Sequence, residues 1–364
     1  MFALCFAVFR VVPLNRNKIF FVATHDDSEE GNIGIVAEAI RREMPEKKCV
    51  FLTKRDGIRH PFAFFFGKAF HMATASVIFL DNEFMPMAYT RISSRAKVVQ
   101  LWHGTGTLKK FGLDSDTGEV ARLARKANGR LTHLIVNSEL TKSQYGSAFG
   151  VPEEKIYMLG LPRTDLILDK RKMEQLQETF YEQYPSLVGK RCSLYAPTFR
   201  DDEVDRPVFG MDFDSFCSCM DEDEVLLVRL HPHVAANCPG DIWERYEGKL
   251  VNVSNYPGVA TLLAVSERLI TDYSSIIFEY CLLDREMIFY AYDYEAFRKE
   301  GRDFYENYPD FVPGPVAYNQ KELEKIWQEH CCDNQQLQNF REQMFRYLDQ
   351  NATNRLLELI FHKK

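Results

Sequence analysis

Short apolar runs recur along the chain, and stretches with helical spacing of apolar residues lie between them. In the first half the runs fall at 19–23, 49–52, 76–80, 97–102 and 133–136, with helical patterns over 33–44 and 62–74. Each run is apolar along its whole length rather than alternating with polar residues. Strands that read this way are buried on both faces, so the pattern predicts a parallel sheet covered by helices. The pattern breaks around Gly160, Pro162 and Asp165, and a polar helix follows over 169–184. A second series then begins, with strands over 191–196, 225–230, 250–253, 268–271 and 287–290 and helices over 258–264 and 274–283. The predicted fold class is α/β, two similar doubly wound halves with a cleft between them. The expected domains are 1–165 and 166–364, with a charged helical segment over 322–364 packing back across the halves.

Composition narrows this picture. A chain of 364 residues suffices for two domains with separate cores. Hydrophobic content of 46% and charged content of 27% exclude a disordered chain. A formal net charge of −7 weighs against a nucleic-acid partner. The nine cysteines show no CxxC spacing, and the close pairs Cys217/Cys219 and Cys331/Cys332 read as structural thiols of a reducing compartment. The N-terminus is apolar from Met1 to Phe9, with Arg10, Arg16 and Lys18 behind it. It falls short of the roughly 20 residues of a membrane span and lacks signal-peptide features. It fits either a helix lying in a membrane interface, its cations at anionic headgroups, or a first helix packed on the fold.

Ligands of doubly wound sheets bind beyond the carboxyl ends of the strands, and four predicted strand ends carry candidate chemistry. His103 follows the strand over 97–102 and precedes Gly104, Thr105 and Gly106, a small-residue turn that lets backbone approach a ligand. An imidazole there can take a proton at neutral pH, or simply occupy a turn. Arg229, Leu230, His231, Pro232 and His233 close a second strand, where Arg229 and His231 could neutralise a pyrophosphate. The two histidines lack the nearby carboxylates or thiols of a metal site, and exposed loop histidines fit the same letters. Thr198 and Arg200, followed by Asp201 and Asp202, can donate to phosphate oxygens or decorate a surface turn. Asp272, Ser274 and Ser275 stand at a predicted helix start, where unpaired N–H groups seat phosphate and where Asp and Ser also serve as plain caps. Glu279, one turn on, could bind a ribose or face solvent. The motif Gly31-Asn32-Ile33-Gly34 is not a dinucleotide fingerprint, and no P-loop, GxSxG, HExxH or DxD-type paired carboxylate stands at a predicted strand end.

These motifs in this order resemble the CDP-glycerol glycerophosphotransferase family, which builds teichoic-acid and capsule-like polyol-phosphate polymers. The matching pieces are Trp102-His103-Gly104-Thr105, Tyr195 to Arg200, Arg229-Leu230-His231-Pro232, and Thr271-Asp272-Tyr273-Ser274-Ser275 with Phe278-Glu279. Asp293-Tyr294-Glu295, Arg302 to Tyr305 and Phe311 to Pro315 complete the set, while Gly106 and Arg285-Glu286 depart from frequent family residues. The resemblance implies a GT-B type fold of two Rossmann-like domains, with His103 and His231 as its two important histidines. It implies glycerol-phosphate transfer from CDP-glycerol to a polyprenyl-lipid-linked saccharide hydroxyl, releasing CMP, by a peripheral enzyme on the cytoplasmic face of the membrane. In that reading Gly104 and Thr105 lie on the acceptor side. Thr198, Arg200, Arg229, Asp272, Ser274, Ser275 and Glu279 bind the donor, with no tightly bound cofactor and no metal ligand. The alternatives are the same chemistry on CDP-ribitol or another CDP-polyol, a nucleotide-sugar glycosyltransferase, and a catalytically silent scaffold.

Overall fold

The computed structural model describes residues 1–364 apart from 57–60, 199, 201–209, 232–233, 236, 239–240, 300–302, 331–332 and 363–364. Of the sequence motifs, Phe199, Asp201, Asp202, Pro232, His233, Arg302, Cys331 and Cys332 fall outside the described residues. The chain forms two compact units, Met1–Leu166 with Gln343–Lys364, and Ile167–Glu342.

In the first unit, six parallel strands lie in the order β2-β1-β3-β4-β5-β6. They are β1 (Asn15–Ala23), β2 (Lys48–Thr53), β3 (Ala75–Leu80), β4 (Lys97–Gln100), β5 (His133–Val136) and β6 (Ile156–Met158). The apolar runs correspond to β1 to β5, and the inner strands β1, β3, β4 and β5 carry them buried on both faces. Phe20 and Val22 enter one core with Ile78 and Val98, while Ile19 and Phe21 enter the other with Val36 and Ile40. The chain leaves β1 toward β2 on one side and returns to β3 on the other, so the loops after β1 and β3 part at a topological switch point. That is where ligands of open α/β sheets bind.

The second unit repeats the plan with β7 (Arg191–Ala196), β8 (Glu224–Val228), β9 (Leu250–Asn252), β10 (Ser266–Thr271), β11 (Glu286–Tyr290) and β12 (Val316–Ala317). Their order is β12-β11-β10-β7-β8-β9, again all parallel. Here the switch point falls between β7 and β10, the strands that lead into Thr198 and Asp272.

Two expectations need correction. Residues 343–364 do not complete the second domain. The helix Ala352–Phe361 puts Leu356, Leu357 and Ile360 into the core of the first unit, and Asp165 caps it by accepting from the N–H groups of Ala352 (2.9 Å) and Thr353 (2.8 Å). Burying three such side chains is worth about 1.5–3 kcal/mol each, which keeps the segment with this sheet. The helix expected over 62–74 divides into a π-helical turn, Ala63–Lys68, and a short α-helix, Ala69–Ala73. The N-terminal helix α1 (Phe2–Phe9) is two-faced: Phe2, Cys5 and Phe6 are buried, Phe2 against Phe64 and Phe84, while Leu4 and Val8 remain 71% and 62% exposed. Among the described residues no helix is long and apolar enough to cross a membrane.

Candidate active site

The first unit gathers its chemistry at the carboxyl ends of three adjacent strands. Strand β4 ends at Gln100, and Trp102 adopts a left-handed conformation (φ 57°) that side chains other than glycine rarely take. The left-handed residue is thus Trp102 rather than a glycine of the following turn, and it sets the direction of His103. The indole packs on Phe111 (5.1 Å), Phe149 (5.0 Å) and His103 (4.0 Å between ring centroids). Nδ1 of His103 lies 3.1 Å from the carbonyl oxygen of Asp81. A ring nitrogen facing a carbonyl must donate, so Nδ1 carries the proton and Nε2 keeps its lone pair. Among the described residues Nε2 has no hydrogen-bond partner. His103 is held down to about 3 by burial first, then by His25, Arg163 and Lys54, against the raising effect of the Asp81 carbonyl. At neutral pH it is a neutral imidazole with the Nε2 lone pair unprotonated.

Asp81, buried at the end of β3, organises this end of the sheet. Its carboxylate accepts from the N–H groups of Thr24 (2.9 Å), His25 (3.1 Å) and Asp26 (2.9 Å), fixing the loop after β1. That loop lays His25 flat on His103, with centroids 3.6 Å apart and planes 12° from parallel. Arg163 closes the far side, donating to the His103 carbonyl (2.7 Å) and the Asp26 carboxylate (2.9 Å). Asn32 bridges the Trp102 carbonyl (3.1 Å) and the Arg163 N–H (3.0 Å). The Gly104 carbonyl accepts from Tyr145, and the Thr105 carbonyl from Asn137, so both residues enter as backbone.

In the second unit Asp272, also buried, plays the organising part. It accepts from the N–H groups of Thr198 (2.7 Å) and Tyr273 (2.6 Å) and from Arg200 (2.9 Å). In this structure Arg200 is engaged by protein groups. Its Nε and Nη2 clamp Asp293 (2.7 and 3.0 Å), Nη2 also reaches Asp272, and Nη1 donates to the Thr198 carbonyl. Burial lowers the guanidinium pKa, and the Asp272 and Asp293 carboxylates more than reverse this, so it stays charged. Tyr273 completes the knot with a hydrogen bond to Asp293 (2.9 Å). Among the described residues the Thr198 Oγ1 is buried without a hydrogen-bond partner. Buried hydroxyls are normally satisfied, so an orphan at a switch point marks a place where a ligand would complete the bonding.

The helix expected over 274–283 is shorter, Ile276–Tyr280 followed by a 3₁₀ turn. Ser274 accepts from the Ile276 N–H (3.3 Å), whereas the exposed Ser275 makes no side-chain cap. Glu279 is buried, not solvated. Arg229 donates to the Tyr256 carbonyl (3.0 Å), and the buried Ser254 hydroxyl receives the Leu230 N–H (2.9 Å). His231 is exposed just beyond. Among the described residues no group of three or more His, Cys, Asp or Glu could hold a metal ion.

A family model described as CDP-glycerol:poly(glycerophosphate) glycerophosphotransferase matches residues 4–362. The chain belongs to this family. Within the glycerophosphotransferase family it is similar to the teichoic acid poly(ribitol-phosphate) polymerase of Bacillus spizizenii, with 34% identity over 99% of this chain and 58% of the relative. It is also similar to the teichoic acid ribitol-phosphate polymerase TarL of Staphylococcus aureus, with 30% identity over 95% of this chain and 62% of the relative. The chain thus spans about three fifths of each of these two curated relatives. The teichoic acid glycerol-phosphate primase of Bacillus subtilis is 28% identical over 89% of this chain and 82% of that protein. Among solved structures, the wall teichoic acid polymerase TagF superposes with a TM-score of 0.84 at 22% identity, covering 98% of this chain and 92% of that one. UDP-GlcNAc 2-epimerase from Methanocaldococcus jannaschii superposes at 0.58 with 13% identity, covering 95% of this chain and 99% of that one. These two likenesses bear on the fold, which is of the GT-B type with two parallel-sheet α/β units.

Several residues of the candidate site escaped the sequence reading. His25, Asp26 and Asp81 stand immediately past apolar runs, the same signal that singled out His103. Asp293 also follows a strand, but only the structure shows that it holds Arg200.

Proposed function

We propose that this glycerophosphotransferase-family chain transfers a polyol phosphate from a CDP-activated polyol to an acceptor hydroxyl, releasing CMP. The observation that carries the reading is His103, a neutral imidazole at a strand end whose proton is fixed on Nδ1, leaving the Nε2 lone pair for a proton. In the transfer, Nε2 takes the acceptor proton while the hydroxyl oxygen attacks the phosphorus bonded to the polyol. The bond from that phosphorus to the CMP oxygen breaks in line. The charge developing on the CMP phosphate is met by Thr198, Ser274 and Ser275 and by Arg229 and His231. Placement and electrostatics supply most of the barrier reduction in such transfers. Arg200 serves indirectly, by holding the loop that presents Thr198.

The family description favours glycerol as the donor's polyol. Ribitol is the second reading, favoured by the two ribitol-phosphate polymerases among the relatives. The acceptor we propose is a lipid-linked saccharide at the cytoplasmic membrane face, where the exposed side of α1 would rest on anionic lipid. The test is incubation with CDP-glycerol, CDP-ribitol or UDP-sugars plus a lipid-linked acceptor. Release of CMP from one CDP-polyol supports the reading and names the polyol, while UDP release or no nucleotide product overturns it.

A further inference from the structure

We propose that His25 is a positioning residue for this transfer, setting the plane of the His103 ring by stacking on it. The proposal rests on the functional reading above and concerns how its base is held.

A single hydrogen bond fixes one atom of a ring and leaves the plane free to swing about that bond. His103 has such a bond at Nδ1, to the Asp81 carbonyl. The Trp102 indole touches the ring at 33°, and the flat contact with His25, at 3.6 Å and 12°, is the one that lies parallel to its plane. Together they fix the direction of the Nε2 lone pair, which is what a proton acceptor needs before attack. Both rings are referenced to one residue: the Asp81 carbonyl holds His103, and its carboxylate holds the backbone of Thr24, His25 and Asp26. Shifting that residue would move base and platform together.

The stack also demands that His25 be uncharged when His103 gains its proton, since two imidazolium rings at this distance repel. Among the described residues the groups facing the pair are Lys54, Arg163, Asp26 and the Asp81 carbonyl. Burial first, then Lys54 and Arg163 against Asp26, hold His25 down to about 4. It is therefore neutral at physiological pH, a platform rather than a second proton carrier.

The test compares His25→Phe, which keeps a flat neutral ring, with His25→Ala, which removes it. Because His25 stands in the loop after β1, its ring covered by His103 while the residue reaches solvent, neither change empties a core. With a stack worth about 0.5–1.5 kcal/mol, His25→Ala should lower kcat about tenfold and His25→Phe should stay within about threefold of wild type. The KM for the CDP donor and the Tm should be unchanged in both. Nitrogen-detected NMR of the His103 ring should show its titration moving upward in His25→Ala and staying low in His25→Phe. Full kcat in His25→Ala, or equal losses in the two variants, would overturn the positioning role. If the wild-type chain releases no CMP, the functional reading fails. The NMR comparison still decides the stack, since an unchanged His103 titration in His25→Ala refutes it.

Discussion

Asp81 and His103 meet through a backbone carbonyl and a ring nitrogen 3.1 Å apart, and this contact decides which imidazole nitrogen can act as a base. Replacing His103 with alanine should reduce turnover by roughly 10²–10⁴-fold, the usual range for a lost general base. Affinity for the CDP donor should stay near wild type, because the residues proposed to bind the donor belong to the second unit. The depressed pKa also has a sign for stability. Burial holds folded His103 at about 3, below the ordinary histidine value, so the unfolded chain binds the proton more readily. Stability from the neutral ring is present above about pH 6.5 and is lost as pH falls toward the folded value. Thermal melts from pH 7 to pH 4 should therefore fall less steeply in His103→Ala than in wild type.

The orphaned Thr198 hydroxyl gives an opposite pairing of effects. Thr198→Val keeps the shape and removes an unsatisfied buried oxygen, so the Tm should hold or rise. Donor affinity should drop by about 1.5–3 kcal/mol, the worth of a hydrogen bond to a charged group. Calorimetry with CDP-glycerol or CDP-ribitol, beside a melt, reads both. Unchanged affinity would take Thr198 out of the donor site.

Arg200 predicts the reverse. Asp293→Ala leaves a buried guanidinium with half its clamp, and breaking such a pair typically costs about 3–5 kcal/mol. Both stability and donor binding should fall together. Arg200→Lys should not rescue either, because one ammonium cannot span Asp272, Asp293 and the Thr198 carbonyl at once. Loss of binding at unchanged Tm would instead put Arg200 on the phosphate.

Helix α1 separates surface from core within one short element. Leu4→Ser with Val8→Ser should weaken sedimentation with anionic liposomes and leave the Tm unchanged, since both side chains are exposed. Phe6→Ala should cost about 3–5 kcal/mol of stability, as for other buried aromatic truncations. Deleting the helix would mix the two effects, which makes the point variants the cleaner measurement. Wild-type liposome binding by the double variant would sink the interfacial reading of α1.

The fold was legible because β1, β3, β7 and β10 are buried on both faces, and a continuous apolar run of that length between turn signals is seldom anything but a central strand. Short β6 and β12 were missed: three residues and two residues carry too little pattern to stand out. His103, Thr198 and Asp272 could be found by their place after such runs. Sequence cannot show, however, whether a polar side chain faces a ligand or a neighbour. Arg200 looked like a phosphate ligand because its partner Asp293 stands far along the chain. His25 was passed over as part of a polar loop because its significance lies in a ring brought to it from another strand.

The cap that Asp165 provides to the helix Ala352–Phe361 has a consequence for synthesis on the ribosome. Strand β1 is made early, yet its core stays open until Leu356, Leu357 and Ile360 emerge at the other end of the chain. Domains usually fold in the order they are translated. Here the later-made sheet of β7 to β12 can close first, and the earlier one must wait with apolar surface uncovered. A chain cut before Ala352 would thus keep every strand of the second unit and leave the core of the first open, with the N-terminal half for chaperones to guard.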